Sequence, residues 1–520
     1  YNSRLNASGF NRGGFLSIVN RQNLQWIANA RLQWGKRFGN DFQVSVLAGA
    51  EALEQTTWLQ RSQGSDFQFD GLRNVQNAQN RDGDSSREEV ATVSWFGETN
   101  LEWKDRYFVT LNTRSDASSI FGGDVRRGNF FSAGAGWLIS KEKFYPLGSF
   151  IKTMKLRGTW GSTGNSRIGS YAARGLYLIG RQFNYGGQGG IFPLTAENPL
   201  LTWEKNFKTD IGLELDFSDR VGLNVQYYRN NILDAISTVD SPYESGFISA
   251  DINAADMRNT GLEVSLNTVN VRKNGFEWST RFNLATNRNI ITDLKLKEQD
   301  IRSTASGAGL VEGEDVRNIY GLVYAGVDPY HGKPLWRLPD GSITDDYDQA
   351  RQVENLQRIG TGNASAFGGI TNNIRYKNWS LSIIASWSVG SDIRINNLYE
   401  TDGRQISFNN QSKNLLDRWQ QPGDIALVPR LHQDNRAIIS ASRFIFDNDH
   451  IQIENLALNY RFNRQWLRRL KLQSASVFAQ VTNLAWFYFE NTPENRNGIE
   501  QYRYLFPQAE FTEIRGNVDT

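Results

Sequence analysis

The sequence predicts an all-β protein, a transmembrane antiparallel β-barrel. Three observations predict it: a two-residue alternation of apolar and polar side chains, segments long enough to cross a bilayer, and connections that are short and long by turns. The stretch from Thr209 to Tyr228 shows the alternation. Ile211, Leu213, Leu215 and Phe217 alternate with Asp210, Gly212, Glu214 and Asp216. After Ser218, Asp219 and Arg220, the residues Val221, Leu223, Val225 and Tyr227 alternate with Gly222, Asn224, Gln226 and Tyr228. A second strand therefore returns with the same division of faces. One such hairpin would suit a soluble sandwich, but the unit recurs down the chain.

Composition narrows the class. No Pro-, Gly- or Ser-rich linker divides the 520 residues, so one continuous architecture, 1–520, is expected. Aromatic residues make up 12% of a chain whose hydrophobic fraction is only 39%, which suits a wet interior and an outer band rimmed with rings. No apolar run approaches the ~20 residues of a spanning helix. A net charge of +2 gives no signal for nucleic acid. With 0 Cys and 3 His, thiol chemistry and Cys- or His-based metal centres drop out, and an extracytoplasmic setting is compatible. Tyr1 to Gly14 has no apolar core of a secretory signal, so either a signal has been removed or the chain begins inside a larger protein.

Taken in order, the first clear strand is Leu24 to Trp34, with Leu24, Trp26, Ala28, Ala30, Leu32 and Trp34 on one parity. Phe42, Val44 and Val46 follow a short turn. Trp95, Gly97, Thr99, Leu101 and Trp103 then share a face opposite Phe96, Glu98, Asn100 and Glu102. Eight residues at about 3.3 Å, tilted about 40°, separate the two Trp rings by roughly 20 Å along a barrel axis. That is close to the height of an apolar band with an aromatic girdle at each edge. Tyr107, Val109, Leu111 and Thr113 continue the pattern, as do Phe131, Ala133, Ala135, Trp137 and Ile139. So do Leu262, Val264 and Leu266, then Phe276, Trp278, Thr280, Phe282 and Leu284. Trp379, Leu381, Ile383, Ala385 and Trp387 again place Trp at both ends of a face. Leu456, Leu458, Tyr460 and Phe462 precede Gln473, Ala475, Val477, Ala479 and Val481. Trp95, Trp103, Trp379 and Trp387 are the expected lipid-facing girdle.

Tight turns fall near 36–41, 103–106, 145–149, 218–220, 272–275, 375–378 and 463–470. Long polar connections fall near 62–87, 115–128, 165–200, 231–256, 292–365, 392–447 and 486–509, and are expected outside the cell. With a weak strand before Asn20 and a last one from Phe511 to Thr520, the tally is about sixteen strands. A sheet in lipid leaves no edge unpaired, so the chain is a complete sixteen-stranded barrel or part of a wider one.

Nothing argues for catalysis. Ser, Asp and His are scattered without a nucleophile elbow, and Asp345 and Asp346 read as solvated loop acids. Asp328 to Asp340 lacks the ligand spacing of a calcium loop, and Gly161-Ser-Thr-Gly164 is not a phosphate loop. No metal or cofactor is expected. Binding is the better use of the loops, where Tyr185, Tyr243, Phe247, Tyr330, Trp336, Tyr347 and Tyr399 sit among amides, carboxylates and Arg. Rings in that setting stack on sugars or hold peptide side chains. Tyr185, Tyr243, Tyr330, Trp336 and Tyr399 are the candidate substrate contacts. Glu98, Asn100, Glu214, Glu263, Asn267, Arg281 and Asn283 are expected to face the lumen.

Several stretches together resemble the SusC-type (RagA-like) TonB-dependent receptors of the Gram-negative outer membrane. They are Arg114-Ser-Asp-Ala-Ser-Ser-Ile-Phe-Gly122, Phe130-Phe-Ser-Ala-Gly-Ala-Gly-Trp137, Leu156-Arg-Gly-Thr-Trp-Gly-Ser-Thr-Gly-Asn165 and Trp203-Glu-Lys with Gly212-Leu-Glu. Asn259-Thr-Gly-Leu-Glu263, Leu416-Asp-Arg-Trp-Gln-Gln-Pro-Gly-Asp424, Val428-Pro-Arg430, Val481-Thr-Asn-Leu484 and Pro493-Glu494 extend the match. The resemblance implies a 22-stranded barrel, an amino-terminal plug that the lumen-facing residues would anchor, a TonB-contacting segment, and a SusD-like surface lipoprotein. Against that pattern the chain shows no plug and about six strands too few, so it is expected to be the carboxy-terminal barrel portion. The resemblance implies import of an oligosaccharide or peptide nutrient, energised through the TonB complex. The rivals are a passive porin-type channel and a soluble secreted all-β glycan-binding protein or glycan-processing enzyme.

Overall fold

The alternating runs fold as strands in a computed structural model. The structure describes residues 13–69, 71, 74–146, 150–166, 168–240, 243–247, 249–295, 301–302, 309–395, 411, 413–431, 441–469, 471–489 and 515–516. Two compact units are present. One comprises Tyr1–Gly134, Gly161–Phe207 and Leu233–Ala254, the other Ala135–Trp160, Lys208–Ile232 and Ala255–Thr520.

In the first unit β1 (Phe15–Phe38), β2 (Phe42–Phe67), β3 (Ala78–Trp103) and β4 (Tyr107–Ser118) pair antiparallel in chain order. Residues directly opposite in such a ladder project to the same side. The register therefore carries each strand's parity to its neighbour. Leu32 faces Ala48, Ala48 faces Gly97 and Gly97 faces Thr113, while Trp34, Val46, Thr99 and Leu111 form the adjoining row. The opposite face carries Ser45, Asn100 and Thr110 in one row and Leu47, Glu98 and Asn112 in the next. At the turn end Phe38 lies 6.2 Å from Phe42, and Trp103 stacks on Tyr107 at 5.2 Å.

Further strands are β5 (Arg127–Leu138), β6 (Ile151–Asn165), the hairpin of β7 (Leu176–Tyr185) and β8 (Gln188–Thr195), β9 (Glu204–Phe217), β10 (Val221–Asp240) and β11 (Ser249–Lys273). Five of these, β5, β6, β9, β10 and β11, contribute a segment to each unit. Beside β4 a small core joins three of the resembling motifs. Ile120, Phe121, Phe130 and Trp203 are buried together, and the Trp203 indole donates to the Arg126 carbonyl at 2.8 Å.

In the second unit β11 is followed by β12 (Phe276–Thr286) and β13 (Arg288–Leu294). Short ladders come next: β14 (Ile301–Arg302) with β15 (Gly309–Leu310), β16 (Asn318–Gly321), and β17 (Val323–Val327) with β18 (Pro334–Arg337) and β19 (Ile343–Thr344). A helical turn Tyr347–Ala350 precedes β20 (Gln357–Thr361), which pairs with β16. Then come β21 (Ala366–Tyr376), β22 (Trp379–Val389), β23 (Asp392–Arg394), β24 (Ile445–Asp447), β25 (His450–Arg461), β26 (Ala475–Tyr488) and β27 (Arg515–Gly516). The ladder β11, β12, β21, β22, β25, β26 repeats the two-faced register. Phe276, Tyr376, Trp379, Tyr460 and Val477 make one row, and Leu284, Gly368, Trp387, Ile451 and Phe487 lie on the same face further along. The Asn274-Gly275 turn has φ of 52° and 77°, the left-handed pair that matches strand twist in a two-residue hairpin.

Among the described residues fourteen strands have 11 to 26 residues, which is the set that seven hairpin turns require. The separate weak strand expected before Asn20 is corrected: Phe15–Phe38 is a single strand, because its pairing with β2 runs unbroken to Ser65. The expected last strand is described only at Arg515–Gly516, which pairs with β26. Two connections are also shorter than their polarity suggested. Ladder hydrogen bonds continue through the polar stretches 62–67 and 78–87, and β10 and β11 reach Asp240 and Ser249. The expected turn at 463–470 contains a helix, Arg464–Arg469.

Candidate functional site

The polar face of β2, β3 and β4 holds a network centred on Arg114. Its Nε donates to both oxygens of Asp116 at 2.7 and 3.0 Å, and its Nη2 donates to Glu51 at 3.2 Å and Ser94 at 2.9 Å. Register puts all four on one side, since Glu51 faces Ser94 and Ser94 faces Asp116. The guanidinium lies 5.6 Å from the Phe96 ring centroid, and that ring covers Gly49, leaving no room there for a Cβ. Toward the turn, the Asn100 amide donates to Glu98 at 2.5 Å and the Thr110 hydroxyl donates to Asn100 at 2.7 Å. Glu98 and Asn100 thus lie on this polar face. Arg114, Asp116 and Glu51 were not singled out from the sequence as site residues, although Arg-x-Asp in a strand puts both charges on one side.

In the second unit Glu214 accepts an ion pair from Arg157 at 3.0 Å and lies 3.8 Å from Lys155. Arg157 Nη2 donates to Gln226 at 2.6 Å, and Gln226 donates to Asp210 at 3.0 Å, extending the ladder across β6, β9 and β10. Glu263, Asn267, Arg281 and Asn283 share one face of β11 and β12, where Arg281 is directly opposite Asn267 and donates to it at 3.1 Å. Asn267 and Arg281, with Thr153, Asp216, Ser279 and Asn373, border a hollow of about 530 Å³ near the Ser218–Arg220 turn.

The candidate ring residues divide. Tyr330 is 72% exposed, a free ring on a loop. Trp336 is corrected: at 1% exposed it is the centre of a core with Leu322, Leu338, Ala350, Leu356, Ile395, Ala441 and Phe444, so its ring has no face left for a ligand. Tyr324 meets it edge-on at 5.8 Å, and Tyr347 packs against the same cluster. Tyr399 and the side chains of Tyr185 and Tyr243 lie outside the described residues.

One of the resembling motifs, Leu416–Asp424, braces the turn between β17 and β18. The Trp419 indole donates to the Pro329 carbonyl at 2.9 Å, and its ring lies where a side chain at Gly332 (φ 70°) would sit. Asp424 accepts from the backbone N–H groups of Gln420 and Gln421, both at 2.9 Å, and these bonds hold its carboxyl below the ordinary range. Asp328 is likewise lowered, first by the Tyr330 N–H and then by His331. Asp392 is raised, chiefly by burial. Among the described residues no group of three or more His, Cys, Asp or Glu could hold a metal ion.

Residues 1–399 match the family described as TonB dependent receptor-like, beta-barrel. The chain belongs to that family. Its members are outer-membrane proteins, which sets aside the secreted soluble reading. The chain is 28% identical to TonB-dependent receptor P26 of Formosa agariphila over 94% of its own length and 52% of the relative's. It is 25% identical to TonB-dependent receptor SusC of Bacteroides thetaiotaomicron, with 95% and 50% covered. The chain thus spans about half the length of the curated relatives it matches. In fold it superposes on a chain of the RagAB peptide transporter with a TM-score of 0.81 at 24% identity, covering 93% of this chain and 54% of that one.

Proposed function

We propose that this receptor segment forms the barrel of an outer-membrane transporter that imports an oligosaccharide or a peptide. Coupling to the TonB complex supplies the energy, and a SusD-like lipoprotein serves as surface partner. The observation that carries the reading is the two-faced register, held strand by strand in a family of TonB-dependent receptors. On this reading the Trp95, Trp103, Trp379 and Trp387 face meets lipid, and the Glu98, Asn100, Glu214, Glu263, Asn267, Arg281 and Asn283 face meets the lumen and a plug. Glu98 and Arg281 are bonded to the Asn100 and Asn267 amides and Glu214 is paired with Arg157, so they hydrate and stiffen the wall while a plug or solute borrows hydrogen bonds at their edges. Tyr330, on the folded loop platform, is the exposed ring available for substrate.

The test is uptake of labelled oligosaccharides and peptides by cells carrying the intact receptor. Uptake should collapse when the proton-motive force is dissipated. Uptake that continues unchanged would instead favour the passive channel.

A further inference from the structure

The apolar rows of β1, β2 and β3 have a measurable height. On β2 and β3 they run from Phe42 opposite Trp103 to Ala52 opposite Val93. Those ten residues, at about 3.3 Å each and tilted about 40°, rise roughly 25 Å, the height of the apolar band of an outer-membrane barrel. In the next row the Trp26 indole donates to Glu54 at 3.2 Å, and from there polar side chains predominate on the same face, with Leu24 opposite Thr56 between them.

Two rows higher, Gln22, Trp58 and Arg87 stand directly opposite one another, followed by Asn20, Gln60 and Ser85. These six, with Leu59 and Ser86 between them on the opposite parity, border a hollow of about 430 Å³, within the ~300–1,000 Å³ of small-molecule sites. The Arg87 guanidinium lies 5.6 Å from the Trp58 ring centroid and pairs with Glu89. An indole beside three amides, a hydroxyl and a guanidinium suits a pyranose, whose C–H face stacks while its hydroxyls bond to the amides. Because Glu89 already neutralises Arg87, the hollow favours sugar hydroxyls over a bare phosphate.

Position selects the source of that sugar. The hollow is on the face of the apolar rows, roughly 15 Å above Ala52 by the same rise and tilt, and a solute moving along the opposite, polar face would not meet it. We propose that this hollow binds a saccharide of the outer-leaflet glycolipid, lipopolysaccharide, whose acyl chains lie against the apolar rows below. The proposal rests on the assignment of that face to lipid made under Proposed function.

The test titrates the intact, detergent-extracted receptor with lipopolysaccharide bearing core sugars, with lipid A alone, and with the free core oligosaccharide. The expected result is binding of the complete glycolipid about tenfold tighter than lipid A or free oligosaccharide. Trp58→Ala should abolish that advantage and Trp58→Phe should restore most of it. Equal binding of the glycolipid by wild type and Trp58→Ala, or of glycolipid and lipid A by wild type, overturns the proposal. Free oligosaccharide binding as tightly as the glycolipid also overturns it and assigns the hollow to soluble glycans. A nitroxide at Ala50→Cys separates the two layers of inference. A label in water sinks the face assignment and the glycolipid with it, whereas a label in lipid beside a silent Trp58→Ala sinks the hollow alone.

Discussion

At the scale of single residues, Arg114 and Trp336 organise what surrounds them. Arg114 satisfies Asp116, whose side chain is only 12% exposed, so removing the cation strands a desolvated carboxylate. Arg114→Ala is expected to cost about 1–3 kcal/mol, reduced from the fully buried case because the guanidinium is partly wet. Urea unfolding in detergent checks it, and Arg114→Met with Asp116→Leu should recover much of the loss. Trp336→Ala should cost the loop platform about 3–5 kcal/mol, as for other large-to-small changes in a core. Proteolysis of the loops should accelerate while the heat-modifiable electrophoretic shift of the barrel is kept. Arg114 was legible only as part of a motif, since pairing with Glu51 depends on which strands become neighbours. Trp336 was misjudged for a related reason. A Trp between prolines in a polar segment looks exposed until the tertiary contacts that bury it are known.

At the scale of elements, alternation predicted the strands and the register joined them. Leu213 lies between Ile211 and Leu215 on the apolar parity of β9, whereas Glu214 points to Arg157. Leu213→Lys should cost about 2–4 kcal/mol or block assembly, and Glu214→Gln should assemble nearly as wild type, read by the yield of folded protein in outer membranes. Equal yields would overturn the face assignment. The loop segment Leu416–Asp424 gives a pH-dependent element. Asp424 is lowered by the N–H groups of Gln420 and Gln421, so its contribution is complete above the unfolded value of about 3.9 and is lost as pH falls through the lower folded value. Proteolysis there should accelerate in Asp424→Ala at pH 7, and the difference from wild type should vanish in strong acid. Strand ends were less legible than strand centres. In β2 and β3 hydrogen bonding continues where side chains no longer alternate, because an exposed ladder can be polar on both faces.

At the scale of the whole molecule, a chain that spans about half the length of its curated relatives carries the receptor's wall and a folded loop platform. The energised import proposed above is a property to be sought in the intact receptor, and the proton-motive-force test addresses the molecule at that level. On the proposed face assignment, the height of the apolar rows would separate two kinds of contact on the same strands: hydrocarbon up to Ala52, and polar hydration or sugar around Trp58.

The sequence by itself determined the fold class, the parity of the strands and most of the tight turns, because each follows from neighbours in the chain: a two-residue period and short polar breaks between alternating runs. Only the tertiary structure decided which charges meet, which rings are buried and where the long connections fold. Those depend on contacts between segments far apart in sequence, as when Trp419 closes over Gly332 and Arg114 reaches Glu51.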